Sequence, residues 1–366
     1  MCKFGRFGAL GLVLVLFSWA GLAAASTEEL TIVTGYNGIK LTGRWMLPDS
    51  GVRGVALIIQ GSGNVDLDGE VSSPFVGRPH QAASAKLSLQ LAQALSTKGI
   101  ASLRYNKRGF EDPAQLPSQI TSILSKDARA VAEQARSRFP GTKFGLVGFS
   151  EGATVAVLVG NEIAVDALFL VGLATRAVDE MFRYQFLQWP LDLMRERLHA
   201  SREGEIALGE FKAKAIEKPI FGDLLPALNK PVAEFDLNHD GKISVEGEFK
   251  PAYEEGLAQV MAMLRGPGFA GWYKDLKSLP PMREILGTLK SQVAFLYNAL
   301  DDAQMSAKWI DEDLHYFPGH ATTHKYAGVG HCFSPMEGTI GQVKTSGPMS
   351  DELLSGLAGD FETVVR

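Results

Sequence analysis

The sequence predicts an α/β protein: a doubly wound, mostly parallel sheet interrupted late by a mainly helical insertion. Three observations carry this reading. Short apolar runs alternate with stretches of helical period from Gly54 to Val171, and again from Val293 onward. Between Val178 and Ile285 that alternation stops, and charges, prolines and large apolar residues crowd together. At Val147-Gly148-Phe149-Ser150-Glu151-Gly152-Ala153 an apolar run meets a small-residue helix through a G-x-S-x-G step. A chain of 366 residues, 46% hydrophobic and 21% charged, has the composition of a globular protein long enough for a sizeable core plus an insertion.

The first 25 residues stand apart. Lys3 and Arg6 precede an apolar stretch from Ala9 to Leu22, and Ala23-Ala24-Ala25 has the small-residue character of a cleavage site, so 1–25 reads as a secretory signal peptide. The apolar run is short for a retained membrane span, and no other stretch is suited to crossing a bilayer. Cleavage would take the formal charge from −5 to −7, Lys3 and Arg6 being the only charges removed. Nucleic acid is therefore not an expected partner. Cys2 would leave with the signal, so Cys332 would have no partner for an intramolecular disulfide. An exported protein without disulfides, periplasmic or extracellular, depends on its core for stability. Cys332 adjoins His331, but nothing in the sequence around it activates a thiol, and it reads as a small buried residue.

The first core segment spans 26–177. It opens with Leu30 to Val33 and Ile39 to Met46, separated by Tyr36-Asn37-Gly38, a hairpin signal. Gly54 to Ile59 is continuously apolar, as a parallel strand covered on both faces requires. A helix follows through Leu87, Leu91 and Leu95, then a strand from Ile100 to Tyr105, then a helix through Leu124, Ala128, Val131 and Ala135. The strand ending at Val147, the helix Ala153 to Gly160 and the strand Ala167 to Val171 complete this half. The insertion, 178–285, opens with a helix from Met181 to Leu198 that carries Pro190 in its middle. The second core segment, 286–366, resumes at Val293 to Tyr297, continues through His324-Lys325-Tyr326 and closes with a helix around Leu353, Leu357 and Phe361.

At the G-x-S-x-G step the serine sits on a tight turn between strand and helix. Glycines two positions on either side are needed because a larger side chain would strike the turn or the helix behind it. The hydroxyl of Ser150 is thereby presented to a site, and the Glu151 N–H, at a helix N-terminus, faces any negative charge that develops there.

With these residues in place the chain resembles the α/β-hydrolase superfamily. Gln60-Gly61-Ser62-Gly63 followed by Asp66-Leu67-Asp68-Gly69 is similar to a stretch of bacterial serine aminopeptidase-like members, and Arg104 to Gly109 to their strand and arginine-glycine turn. The resemblance covers about Val55 to Leu173 and Val293 to Pro335 and does not extend to the insertion, which reads as a cap. Gln60, Asn106 and Phe149 depart from the residues common in that group. The resemblance implies a Ser-Asp-His triad. Ser150 is the nucleophile, Asn298-Ala299-Leu300-Asp301 resembles the acid-bearing G-x-x-D, and Gly328-Val329-Gly330-His331 resembles the glycine-flanked histidine. Asp301 is the expected acid and Asp302 the competing one. The hydroxyl needs a base, and the base needs an acid to hold its tautomer and steady the imidazolium. The oxyanion hole is expected at the backbone N–H groups of Glu151 and Ser62, with Gly61 the alternative to Ser62. Asp66, Asp68 and Arg108 either pair at the mouth of the site or form a solvated surface.

A second motif lies in the cap. Asp236-Leu237-Asn238-His239-Asp240-Gly241-Lys242-Ile243-Ser244 reproduces the first nine positions of an EF-hand loop, with oxygen ligands at Asp236, Asn238 and Asp240, glycine at the sharp turn and the Lys242 carbonyl next. The final ligand is displaced. Gly247 holds its position while the acids fall at Glu246 and Glu248, so calcium would require a one-residue bulge or an altered final ligand. Calcium is expected as a structural ion, with no cofactor for catalysis. The whole reading is an exported serine hydrolase acting on a small acyl substrate, carboxylic esters first, with peptide or aminoacyl amides and thioesters behind them. A reading of another class is a catalytically silent calcium-binding protein on the same scaffold.

Overall fold

The structure, a computed structural model, describes residues 26–70, 86–291, 293–300, 302, 305–317, 319–337, 344–345 and 348–366. The proposed signal peptide and Asp301 lie outside the described residues. Eight strands form one sheet in the order β1-β2-β4-β3-β5-β6-β9-β10. They are β1 (Ser26–Thr34), β2 (Lys40–Pro48), β3 (Gly54–Ile59), β4 (Ile100–Tyr105), β5 (Lys143–Phe149), β6 (Ala167–Val171), β9 (Val293–Ala299) and β10 (His320–Tyr326). β1, β2 and β4 pair antiparallel, and every pairing from β4 to β10 is parallel. The predicted hairpin is present, with Asn37 at φ 58° making the turn.

The continuous apolar strands serve two cores at once. In β3, Val55, Leu57 and Ile59 face the helices α2 (Thr121–Arg138) and α3 (Glu151–Glu162). Ala56 and Ile58 face α1 (Leu87–Ser96) and the C-terminal helix (Asp351–Val365). Successive side chains of a strand point to opposite faces, so a strand covered on both sides has no polar position, and all of β3 is buried. Phe169 lies between Phe295 and Phe361, ring centroids 5.1 and 4.6 Å away, tying the sheet to the last helix.

The insertion has a hydrophobic core of its own, built from Phe182, Phe186, Trp189, Phe211, Phe235, Phe249 and Tyr253 among others. Its first helix is not uniform. α4 (Val178–Arg183) passes through a π turn (Tyr184–Gln188) into α5 (Trp189–Arg197), with Pro190 in the first turn of α5. Proline lacks an N–H and strikes the preceding turn, and the wider π turn makes room for it. β7 (Glu205–Ala207), which the sequence did not reveal, leads into α6 (Leu208–Ala213) and pairs antiparallel with β8 (Lys242–Ser244), placing Ile206 opposite Ile243. A second π turn (Val245–Phe249) precedes α7 (Lys250–Arg265), and α8 (Ala270–Ser278) ends the cap. The boundary at Ile285 lies too late: in α9 (Met282–Leu286), Met282, Ile285 and Leu286 pack into the core beneath the sheet.

Candidate active site

Ser150 stands between β5 and α3 at φ 54°, ψ −120°, a strained backbone conformation for a residue with a side chain. Its N–H donates to the Val171 carbonyl at 2.8 Å and its carbonyl accepts from Ala153 at 2.8 Å, so the turn is held from both sides. The two flanking glycines are required by contact. A Cβ on Gly148 would lie 2.3 Å from the Gly152 oxygen, and one on Gly152 would lie 2.1 Å from the Ile59 oxygen.

His331 reaches this serine from the loop after β10. Its Nε2 is 2.8 Å from Ser150 Oγ and its Nδ1 is 2.8 Å from Asp302 Oδ2. The carboxylate on the histidine is thus Asp302 and not the expected Asp301. The reason lies in the sheet. Tyr326 pairs with Ala299, and Leu300 still donates to the Tyr326 carbonyl at 2.8 Å, so the chain stays on the ladder one residue beyond the strand and turns later. Asp302 is nearly inaccessible and His331 partly so. The Phe149 ring packs 5.5 Å from the imidazole, which gives the departure at that position a steric role. Burial and the Asp302 charge push the Cys332 thiol up to about 11, so it stays protonated and is not a nucleophile at neutral pH.

Ser62 and Glu151 line the same cavity as Ser150. A side chain on Gly61 would meet Ser150 Cβ at 3.2 Å, so the loop after β3 runs directly beside the serine. That loop is tied down by the residues that departed from the resemblance. Gln60 donates to the carbonyls of Tyr105 (2.6 Å) and Asp66 (3.2 Å), and the Asn106 amide oxygen accepts from the Leu67 N–H at 2.7 Å.

Neither expectation for the acidic stretch holds. Arg108 is buried against Asp127, with both guanidinium contacts at 2.6 Å. Asp66 accepts from the N–H groups of Asp68 and Glu70 in its own turn, and Asp68 pairs with the fully buried Arg104 at 3.0 Å. These groups brace the loop and do not shape the mouth. Sequence reasoning missed Lys107, Thr121 and Trp272, all three of which converge on the Glu151 carboxylate. Their positions in sequence carried no common signal.

The cavity, about 270 Å³, is walled by Met181, Phe182, Phe186, Leu276, Met282 and Met305, with Gly172 and the serine at its base. Its charged lining residues, Glu151 and Arg176, are both engaged. Arg176 pairs with Glu312 at 2.5 Å and Asp313 at 3.1 Å. Burial opposes ionisation of Glu151, but the Lys107 charge and the hydrogen bonds from Trp272, Lys107 and Thr121 outweigh it and hold its carboxyl below the usual range.

In the cap loop the Asp236 carboxylate accepts from the Asp240 and Gly241 N–H groups at 3.1 and 3.0 Å, Asn238 accepts from Asp240, and Asp240 from Lys242. The π turn absorbs the extra residue and folds Glu248 back over the loop, onto the N–H groups of Leu237 (2.7 Å) and Ser244 (2.8 Å). Glu246 points away, to Arg195 and Lys250, and the Lys242 ammonium pairs with Glu205. Glu246 therefore leaves the ligand set. Among the described residues no three Asp, Glu, His or Cys groups converge to hold a metal ion, and the loop acids are spent on backbone donors as folded.

No known protein-family profile matches the chain, and no curated protein sequence matches it significantly. Solved structures do resemble it. A protein of unknown function from Staphylococcus aureus subsp. aureus Mu50 is 14% identical, with 92% of this chain and 99% of that one covered at a TM-score of 0.51. Est1E from Butyrivibrio proteoclasticus is 13% identical over 92% and 98% of the two chains, at a TM-score of 0.49. An esterase from Pyrococcus furiosus is 12% identical over 96% and 93%, at 0.47. At such identities likeness speaks for architecture alone, and with the sheet order and the serine turn described above that architecture is the α/β-hydrolase fold.

Proposed function

We propose that this chain is a serine hydrolase of carboxylic esters, working through an acyl-enzyme. The observation that carries the reading is the hydrogen-bonded line from Asp302 through His331 to Ser150, at 2.8 Å on each side. Ser150 Oγ attacks the acyl carbon while His331 Nε2 takes its proton. Asp302 keeps the other ring nitrogen as the donor and steadies the imidazolium. The backbone N–H groups of Glu151 and Ser62 bind the oxyanion. His331 returns the proton to the leaving alcohol, and water, deprotonated by the same imidazole, releases the acid.

The cavity favours an ester with an apolar acyl or alkyl group over an aminoacyl amide. An aminopeptidase needs a carboxylate to receive the free amine, and the Glu151 carboxylate already accepts three donors. Export is part of the proposal, supported by Lys3, Arg6, the apolar run and Ala23-Ala24-Ala25. No helix among the described residues is long and apolar enough to cross a membrane. Calcium in the cap loop is proposed as a stabiliser alone, on the spacing of Asp236, Asn238 and Asp240, with Glu248, which as folded accepts from the Leu237 and Ser244 N–H groups, as the acid that would turn to the ion.

The test is labelling with a fluorophosphonate probe alongside turnover of nitrophenyl esters. Wild type should label and turn over, and Ser150→Ala should lose both, with kcat down by about 10⁴ or more. Labelling that survives the substitution would remove the serine from the mechanism. A wild-type protein that neither labels nor turns over would favour the silent binding protein.

A further inference from the structure

The Glu151 side chain is 5% exposed although it follows the reactive serine directly. Its carboxylate gathers donors from three separate elements. Lys107 Nζ, in the loop after β4, lies at 3.0 Å; Thr121 Oγ1, at the start of α2, at 2.8 Å; and Trp272 Nε1, on cap helix α8, at 2.9 Å. Lys107 makes one more contact, donating to the Gly61 carbonyl at 2.9 Å.

That last bond matters because a peptide unit is rigid. The Gly61 carbonyl and the Ser62 N–H belong to the same trans plane and point in opposite directions. Holding the carbonyl on the buried ammonium fixes the orientation of the N–H on the other side of that peptide, and Ser62 lines the cavity it shares with Ser150. The ammonium also polarises that peptide, which makes its N–H a better donor to an oxyanion. The other oxyanion donor is the backbone N–H of Glu151 itself. One residue therefore supplies one donor from its main chain and fixes the second through its side chain.

We propose that Glu151 is a positioning residue that couples the seating of the cap to the oxyanion hole, through Lys107 to the Gly61–Ser62 peptide and through Trp272 to helix α8. The cap is docked at a second point close by: Asp275 of α8 accepts from the Ser122 N–H at 2.9 Å and from its hydroxyl, capping a helix whose own N-cap residue, Ile120, offers no side-chain acceptor. When α8 is seated, Trp272 and Lys107 share the carboxylate and the oxyanion loop is held. When α8 lifts, the carboxylate loses a donor and the clamp on the loop weakens. This rests on the ester-hydrolase reading.

The experiment compares wild type, Trp272→Phe and the double variant Glu151→Gln/Lys107→Met. Removing both charges together avoids stranding one of them, and such replacements of a buried pair are often tolerated. Folding is checked by circular dichroism and melting, and kcat and KM are measured with nitrophenyl acetate and octanoate. A donor that acts on the oxyanion is felt in the transition state, so the double variant should lose about 10- to 100-fold in kcat, with KM within about threefold, and should bind a boronic acid analogue correspondingly more weakly. Trp272→Phe, which keeps an aromatic side chain and removes the indole N–H, should lower kcat about three- to tenfold in the same sense. A folded double variant with wild-type kcat overturns the proposal, and so does a loss confined to KM. If Trp272→Phe leaves kcat unchanged, the coupling to the cap is overturned. Loss of wild-type labelling on Ser150→Ala reports separately on the ester-hydrolase reading, and a wild type that never labels removes both.

Discussion

The sheet and the cap solve different problems with different physics. In the sheet, short parallel strands buried on both faces leave their C-terminal ends as the open edge where loops diverge, and Ser150, His331 and Asp302 all sit on loops leaving β5, β10 and β9. Their geometry is imposed by backbone: a strained turn, two glycines in contact and a ladder that runs one residue past its strand. The cap carries its own apolar core. Its contacts with the sheet layers include Trp272 and Asp275 on one flank and, on the other, Tyr184 against Trp309 with ring centroids 4.9 Å apart. The lesson is a division of labour. The proposed reactive groups are placed where the backbone is least free, and the cap reaches them through side chains, Trp272 on the Glu151 carboxylate among them.

The sharpest break of this comparison lies in the sheet. Asp302→Asn should lower kcat by about 10⁴ and leave the fold intact, as a histidine held in the wrong tautomer does, while Asp301→Asn should cost little. Exchange of the two results would place the turn after β9 one residue earlier.

The buried Lys107–Glu151 pair is the next largest effect, and it appears in stability. Glu151 has its carboxyl depressed below 4.5, so its contribution is present above that value and is lost as pH falls through the lower folded one. Glu151→Gln should destabilise at neutral pH by about 3–5 kcal/mol, the cost of breaking a buried pair, and flatten melting temperature against pH in acid. Parallel acid limbs for wild type and variant would show that the pair does not stabilise the fold.

On the cap side the calcium proposal predicts a smaller change. An ion bound only by the folded state, at a hundredfold excess over its Kd, stabilises by about 2.7 kcal/mol, so chelation should lower the melting temperature by several degrees. Asp240→Ala should remove that response while ester turnover at low temperature persists. Identical melting with and without calcium sinks the site.

The smallest effect tests selectivity. Leu276→Trp, which fills the cavity from the cap side, should raise KM for an octanoate ester about tenfold relative to an acetate ester. Equal changes for both esters would mean that the acyl group does not occupy this cavity.

Sequence by itself determined the parts that local chemistry writes in consecutive residues. The buried strands were legible because covering both faces forbids polar positions, as in Gly54 to Ile59. The serine turn was legible because two close backbone approaches demand glycine at fixed offsets. The hairpin was legible because Asn37 and Gly38 tolerate positive φ. Even the displacement of the cap loop's last acid could be counted, and a π turn at Val245–Phe249 falls at that point. Tertiary structure alone decided which of two adjacent aspartates meets His331, because that depends on where the β9–β10 ladder lets go. It decided that Arg108 serves Asp127 and that Lys107 serves Glu151, since neighbouring side chains on a loop point apart and only packing selects their partners. It also decided that Trp272, Thr121 and Lys107 share one carboxylate. Burial of a charge is stable only when its hydrogen bonds are made, and the chain draws those donors from three distant segments that no local pattern connects.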